Sequence, residues 1–461
     1  MKRAPWRWSA LTVAAGLALT GCASGTGSEA SDETEFDSAA DVSGELSIMG
    51  FGAGDEIGEV RLDEAKAAMP DVDVQLVEGD LDIQQFLSAV AAGDPPEIVY
   101  ANRDQIGTFA SRGAIVPLDS CIEGEGIDTS QYRESALNQV TFDDQVYGIP
   151  EFNGIIVTMA NANLLSAAGL TIEDVNGSDW DAMTAATQAM TVGNGGSLQT
   201  IGVDSKLPEF LPLWAKANGV DLLSEDGRTA NVNDPKVVEA LEWAVDIYDR
   251  QGGFSAVKAY RDTADFFGAE NQFATNTLGA MPMEHWYINV LNENSPTAPM
   301  AFDTVKDREG NTLSYATGSA WAIPADSANP EAACRLMKVI TQTDSWLKAA
   351  QARVDLRAES GQLFTGLLTG NQDADEQIRE MVPADAPEPW ISAINAMYEA
   401  NDAAFSLPAN PADAEFKTAW QDAVNRVLNG QASAQESLDQ GQQEAQDALD
   451  EAWATWDDEQ G

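Results

Sequence analysis

Residues 45–77 read ELSIMGFGAGDEIGEVRLDEAKAAMPDVDVQLV, and the apolar period changes twice along them. Leu46 and Ile48 alternate with polar neighbours, the two-residue period of a half-buried strand. Ile57, Val60, Ala65, Ala68 and Met69 then fall on one helical face, and Val72, Val74 and Leu76 restore the shorter period. Ile83, Phe86, Leu87 and Val90 mark a second helix, stopped by Gly93, which reaches left-handed backbone without a Cβ penalty. Glu97 to Tyr100 follows as a strand apolar enough to be buried on both faces. This β-α-β-α-β order implies a parallel sheet covered by helices, so the chain is read as α/β.

Further elements continue the pattern. Ser178 with Asp181 predicts a helix start before Trp180, Met183, Thr187 and Met190. Asp234-Pro235 starts a helix with the face Val237, Val238, Leu241, Val245 and Tyr248, and Asn329-Pro330 starts another with Ala333, Leu336, Met337 and Ile340. Ser433 with Glu436 opens an acidic C-terminal helix, and Ser319 to Ile323 reads as a strand. Long helical stretches interrupting the α/β units suggest two lobes.

The N-terminus sets the compartment. Lys2, Arg3 and Arg7 precede a short apolar run, Ala10 to Leu19, too short for a permanent membrane helix and right for a signal peptide over residues 1–21. Leu19-Thr20-Gly21-Cys22 resembles the bacterial lipobox, which implies lipidation of Cys22 and anchoring to the outer face of the cell membrane. Residues 22–44 read as a flexible acidic tether. Cys121 and Cys334 would then meet an oxidising compartment, where either a disulfide or two buried thiols is possible.

Among 461 residues, 75 acids against 25 Lys and Arg give a net charge of −50, and loss of three basic residues with the signal gives −50 − 3 = −53. No basic patch is available for nucleic acid or an anionic membrane surface. One His and three Cys leave no room for a His/Cys metal cluster, and no calcium-loop spacing occurs. No nucleophile elbow or Walker loop is present, and paired carboxylates are uninformative among 75 acids. The reading is a non-enzyme with no catalytic residues, no metal and no cofactor.

Ligands of open α/β sheets bind beyond the carboxyl ends of strands. Those positions here are Phe51 to Asp55, and Asn102, Arg103, Asp104 and Gln105, whose donors and acceptors suit a ligand dense in hydroxyls. Trp214 and the cluster Glu284-His285-Trp286-Tyr287 add flat apolar faces of the kind that sugar rings cover, although any one Trp is more often core than platform.

Several ordered stretches then resemble the extracellular solute-binding proteins of ATP-driven sugar importers, the group that includes maltose-binding protein. They are Ala91 to Tyr100, Phe109 to Asp119, Val146-Tyr147-Gly148-Ile149-Pro150 with Asn161, Leu278 to Trp286, Gly318 to Pro324 with Asn329 to Ala333, and Asn429 to Ser433. The resemblance implies a two-lobed periplasmic-binding-protein-like fold of class II type with three hinge crossings. These fall near Glu151 to Gly154, Tyr315 to Ser319 and Arg353 to Glu359. One lobe would comprise 45–152 and 316–355, the other 153–315 and 356–461. It also implies ligand contacts at Phe51, Gly52, Asn102, Arg103, Asp104, Gln105, Glu151, Asn153, Trp214, Glu284, Trp286, Ser319, Arg357 and Trp390. Partners would be a mono- or oligosaccharide and the permease subunits of an ABC transporter, with the protein a monomer held to the membrane only by its lipid. Departures exist: Thr158 to Asn161 lacks the family's Tyr, and Ala101 stands where a Trp is frequent. Another polar solute, such as a polyol, a glycerol-phosphate-like ester or a compatible solute, is the alternative ligand class. A polysaccharide-acting enzyme and a surface adhesin are the readings from other classes.

Overall fold

The computed structural model describes residues 36–77, 79–194 and 197–460. Two mixed sheets organise them. The first has the strand order Val72–Val77, Gly44–Met49, Ile98–Asn102, Thr317–Ala322, Ile149–Gly154. Its first three strands are parallel, as the opening pattern requires, and the strand Thr317–Ala322 runs antiparallel to both neighbours. Leu46, Ile48 and Ile98 are fully buried, placing the core between this sheet and its helices. The second sheet has seven strands, in the order Ala404–Phe405, Thr312–Tyr315, Met300–Lys306, Ile156–Asn161, Leu278–Glu284, Ser197–Val203, Val192–Asn194.

Helix ends follow local side-chain chemistry. Asp55 and Asp82 accept the amides of Gly58 and Gln85, the third residues of the helices Glu56–Ala68 and Ile83–Ala92, and Gly93 ends the latter at φ +71°. Asp234 caps the helix Pro235–Asp249. Ser433 and Glu436 form a reciprocal capping box. The helix Trp180–Met190 is capped by Asp179, not Ser178, because Ser178 is engaged by Asn176.

The chain passes between the sheets abruptly. Ile149–Gly154 belongs to the first sheet and Ile156–Asn161 to the second, with Ile155 alone between them. Ala316 similarly separates Thr312–Tyr315 from Thr317–Ala322. The third passage differs from its expected place at Arg353 to Glu359. Those residues end one continuous helix, Thr343–Glu359, packed on Glu56–Ala68. Residues 369–371 then run beside the first crossing, where Thr369 bridges Phe152. The helix Gln372–Glu380 stays with Thr343–Glu359, and only Trp390–Asp402 packs on the second sheet. The passage therefore lies at 381–389; a helix with no break at 353–359 had no reason to cross there.

Arg61 and Glu151 form a fully buried ion pair at 2.8 Å beside the first crossing, with the Arg61 guanidinium 3.7 Å from the Trp346 ring centre. Cys121 and Cys334 are joined in a disulfide linking the helices Asp119–Glu125 and Pro330–Thr341. Residues 36–43, expected as part of the tether, lie against this region. Phe36 packs on its core, and Arg335 donates to the Ser38 carbonyl at 2.8 Å. The signal peptide and Cys22 lie outside the described residues. No helix among the described residues is long and apolar enough to cross a membrane.

Candidate functional site

The strand Ile98–Asn102 ends in a turn, Arg103–Gln105, whose successive side chains diverge. Arg103 turns inward and is fully buried. It donates to Gln139 at 3.0 Å, the Phe152 carbonyl at 3.2 Å, Asn153 at 2.8 Å and the Thr317 carbonyl at 2.5 Å. One guanidinium thus ties the first crossing to the second, leaving little of its five-donor fork for a ligand. Burial lowers its pKa to about 10, so it stays charged at neutral pH. A side chain at Gly318 would collide with this guanidinium and with the Phe152 carbonyl, which explains the glycine. Asn153 also donates to Asn401 at 2.6 Å.

Asp104 turns the other way, to Lys417 at 2.6 Å on the helix Asp413–Leu428. Two more contacts reach the same helix from the helix Ile106–Ser111: the Gly107 amide donates to Asp413 at 3.0 Å, and Arg112 at its end meets Glu415 at 2.7 Å. Burial, followed by the nearby Asp104 charge, holds the Asp413 carboxyl well above the usual range against the opposing amide bonds. A small cavity of about 30 Å³ lies here between Arg103, Asp104, Tyr315, Asp413, Lys417 and Trp420. Through Leu407 to Ala409 it adjoins a groove of about 780 Å³. Its lining includes Glu134, Asp143, Asp144, Lys216, Asp221, Asp226 and Arg228.

A separate aromatic surface stands at the end of the strand Leu278–Glu284. His285 exchanges two bonds with Ile155, its amide donating to that carbonyl at 2.8 Å and its Nδ1 accepting that amide at 3.3 Å. Trp286 is thereby held beside the first crossing. It is 38% exposed, the one exposed Trp among the described residues, and its ring lies 15° from parallel to that of Phe267, which is 63% exposed. Burial lowers the His285 pKa to about 4.

The remaining expected positions divide. Asn102 is exposed and pairs with Ser319 across the sheet, while Gln105 and Glu284 are half-buried. Gly52 is exposed at the end of the first strand. Four are turned away from any groove. Phe51 packs on Tyr100 and Trp321, and Glu151 accepts from Arg61, Tyr100 and Trp321. Trp214 is 1% exposed, with its indole N–H on the Ser205 carbonyl, and Trp390 is 4% exposed against Phe302. Both Trp side chains fill the core of the second sheet, which their helical faces require. Arg357 is buried, between Gln362 and Glu293. Sequence reasoning missed Lys417, Asp413, Trp420 and Phe267. The Asn410-Pro411 turn before an amphipathic helix marks the first three; Phe267 carries no signal of its own.

The sequence profile described as bacterial extracellular solute-binding protein matches residues 61–356. A curated relative, the arabinooligosaccharide-binding protein of Halalkalibacterium halodurans, is 23% identical over 167 residues, which span 36% of this chain and 36% of that relative, about a third of its length. Among solved structures, CpMnBP1 with mannobiose bound is 21% identical and superposes with a TM-score of 0.68 over 87% of this chain and 99% of that one. Lmo0181 from Listeria monocytogenes, an ABC substrate-binding protein in complex with cycloalternan, gives 19% and 0.69 over 88% and 99%. Maltose-bound T. maritima MalE3 gives 18% and 0.64 over 88% and 100%.

Proposed function

We propose, from the premise that this chain belongs to the bacterial extracellular solute-binding protein family, that it captures a carbohydrate between its two sheets and delivers it to an ABC transporter permease. One observation carries the choice of ligand class: the exposed, near-parallel pair Trp286 and Phe267 beside the first crossing. Leaving these two rings partly in water forfeits a share of the roughly 1.5–3 kcal/mol that full burial of such a side chain is worth, a share that a covering ligand recovers. Sugar rings offer the C–H faces that such rings cover, and their hydroxyls suit Asp104, Asn102 and Gln105. The solved relatives hold mannobiose, cycloalternan and maltose, in line with this reading.

Capture works by closure of two lobes about the crossings, biased by the ligand's better fit to the closed state. Arg103 and Glu151 set the crossings' geometry, while Asp104 and Trp286 meet the ligand. A lipid on Cys22 would hold the protein at the outer membrane face. Calorimetric titration with mono- and oligosaccharides tests the reading: micromolar binding of at least one, about −8 kcal/mol, is expected. No heat across the panel, with binding of a polyol or a compatible solute instead, would overturn it.

A further inference from the structure

The cavity between Asp104 and Trp420 holds a donor with no acceptor. Trp420 is 2% exposed, and its indole Nε1 has no hydrogen-bond partner although it is buried. An unmet buried donor costs about 1–3 kcal/mol, so such a group ordinarily finds an acceptor. The indoles of Trp214, Trp243, Trp321, Trp453 and Trp456 do so, while that of Trp180, packed flat on Trp243, is the other buried unmet one among the described residues. Trp420 instead lines a space of about 30 Å³, above the minimum for one water-sized group and too small for a sugar ring. The walls differ in exposure. Trp420 and Asp413 form a buried floor, while Asp104 and Lys417, with side chains 33% and 47% exposed, stand at the mouth. Asp413 already accepts from Gly107 and twice from Asn410, so its oxygens are taken. Tyr315 also lines the space.

We propose that this cavity is a specificity subsite for one hydroxyl-bearing arm of the sugar, an exocyclic hydroxymethyl group, whose oxygen accepts from Trp420 Nε1. The arm enters past the Asp104–Lys417 pair, and Asp104 accepts the proton of the same hydroxyl. Hexopyranose units carry this arm and pentopyranose units lack it, so the site selects hexopyranose-based ligands over pentopyranose ones. The subsite rests on the carbohydrate reading above and names the part of the sugar that is read.

The test compares mannobiose and maltose with xylobiose, which lacks the arm, by calorimetry on wild-type protein and on Trp420→Phe. The substitution keeps the ring and deletes the donor. Wild type is expected to prefer at least one hexose disaccharide by tenfold or more. Trp420→Phe should weaken that binding about tenfold and leave xylobiose unchanged. In wild type, the Trp420 indole N–H resonance should move downfield with the hexose disaccharide and stay still with xylobiose; this reading survives if the variant folds poorly. Equal wild-type affinities, equal loss for both sugars in the variant, or an unmoved resonance under bound hexose overturns the subsite while the carbohydrate reading stands. Wild type flat to every sugar overturns both.

Discussion

Asp104 and Lys417, 313 positions apart in sequence, meet at 2.6 Å and join the turn after a strand of the five-stranded sheet to a helix packed near the end of the chain. Both side chains are a third or more exposed, the regime in which an ion pair contributes about 0–1 kcal/mol. Lys417→Met should therefore shift the melting temperature by less than about 3 °C. Asp104→Ala should weaken sugar binding about tenfold or more if, as proposed, the carboxylate meets the ligand. A large melting shift in Lys417→Met would show that the pair holds the two halves together.

Trp286→Ala should lower sugar affinity about tenfold, the equivalent of one aromatic stack. Its 38% exposure predicts little loss of fold, read by circular dichroism and melting. Unchanged affinity would remove Trp286 from the site.

The Arg61–Glu151 pair behaves differently because both side chains are wholly buried. Arg61→Ala strands the carboxylate and empties the space over Trp346, and should cost about 3–5 kcal/mol in urea unfolding. Glu151→Gln keeps the shape and hydrogen-bonding capacity and should cost clearly less. Equal costs would show that packing, not charge, decides the effect.

Asp375 gives a pH signature. Burial, only partly opposed by Arg133 and the Thr369 amide, raises its pKa from 3.8 to about 6. A raised folded-state value means the native protein holds this proton more tightly than the unfolded chain. Its contribution is thus complete below about pH 4 and is lost as pH rises through 6, a difference of about 3 kcal/mol. Relative to Asp375→Asn, wild-type stability should fall between pH 4 and 7, as followed by denaturant midpoints. Parallel pH profiles would place the Asp375 pKa near its ordinary value.

Removing the Cys121–Cys334 disulfide, which closes a span of 213 residues, should lower stability by about 2–5 kcal/mol. Because both cysteines flank the first sheet, Cys121→Ala/Cys334→Ala should leave sugar affinity within about twofold of wild type. A loss of binding larger than that would couple this region to the groove.

The first sheet was legible because apolar patterning separates strands from helices over residues 45–100: alternation marks the strands Gly44–Met49 and Val72–Val77, and a continuous apolar run marks Ile98–Asn102. The second sheet was less so. Its strands come from distant stretches, and Ile156–Asn161, buried at every position, has no alternation to read. At the candidate site, strand ends single out the turn after Asn102, but not the direction of each side chain. Arg103 and Asp104 are adjacent yet one is buried and the other faces outward. Tryptophan type was equally silent on burial: Trp214 lies in the core and Trp286 in the open, and only tertiary packing distinguishes them. The third passage was misplaced because nothing local separates a helix that continues past Arg353 from one that stops.

The sole histidine has a final consequence. His285 fixes Trp286 to the crossing through Ile155, and with its pKa lowered to about 4 it remains uncharged there across mildly acidic and neutral conditions. Histidine is the residue whose charge ordinarily answers to that range, and this chain has one copy, spent on a contact that does not titrate within it. The Trp286–Phe267 pair should accordingly keep its position as the surroundings move from neutral to mildly acidic, so that whatever it covers is met by the same surface across that range.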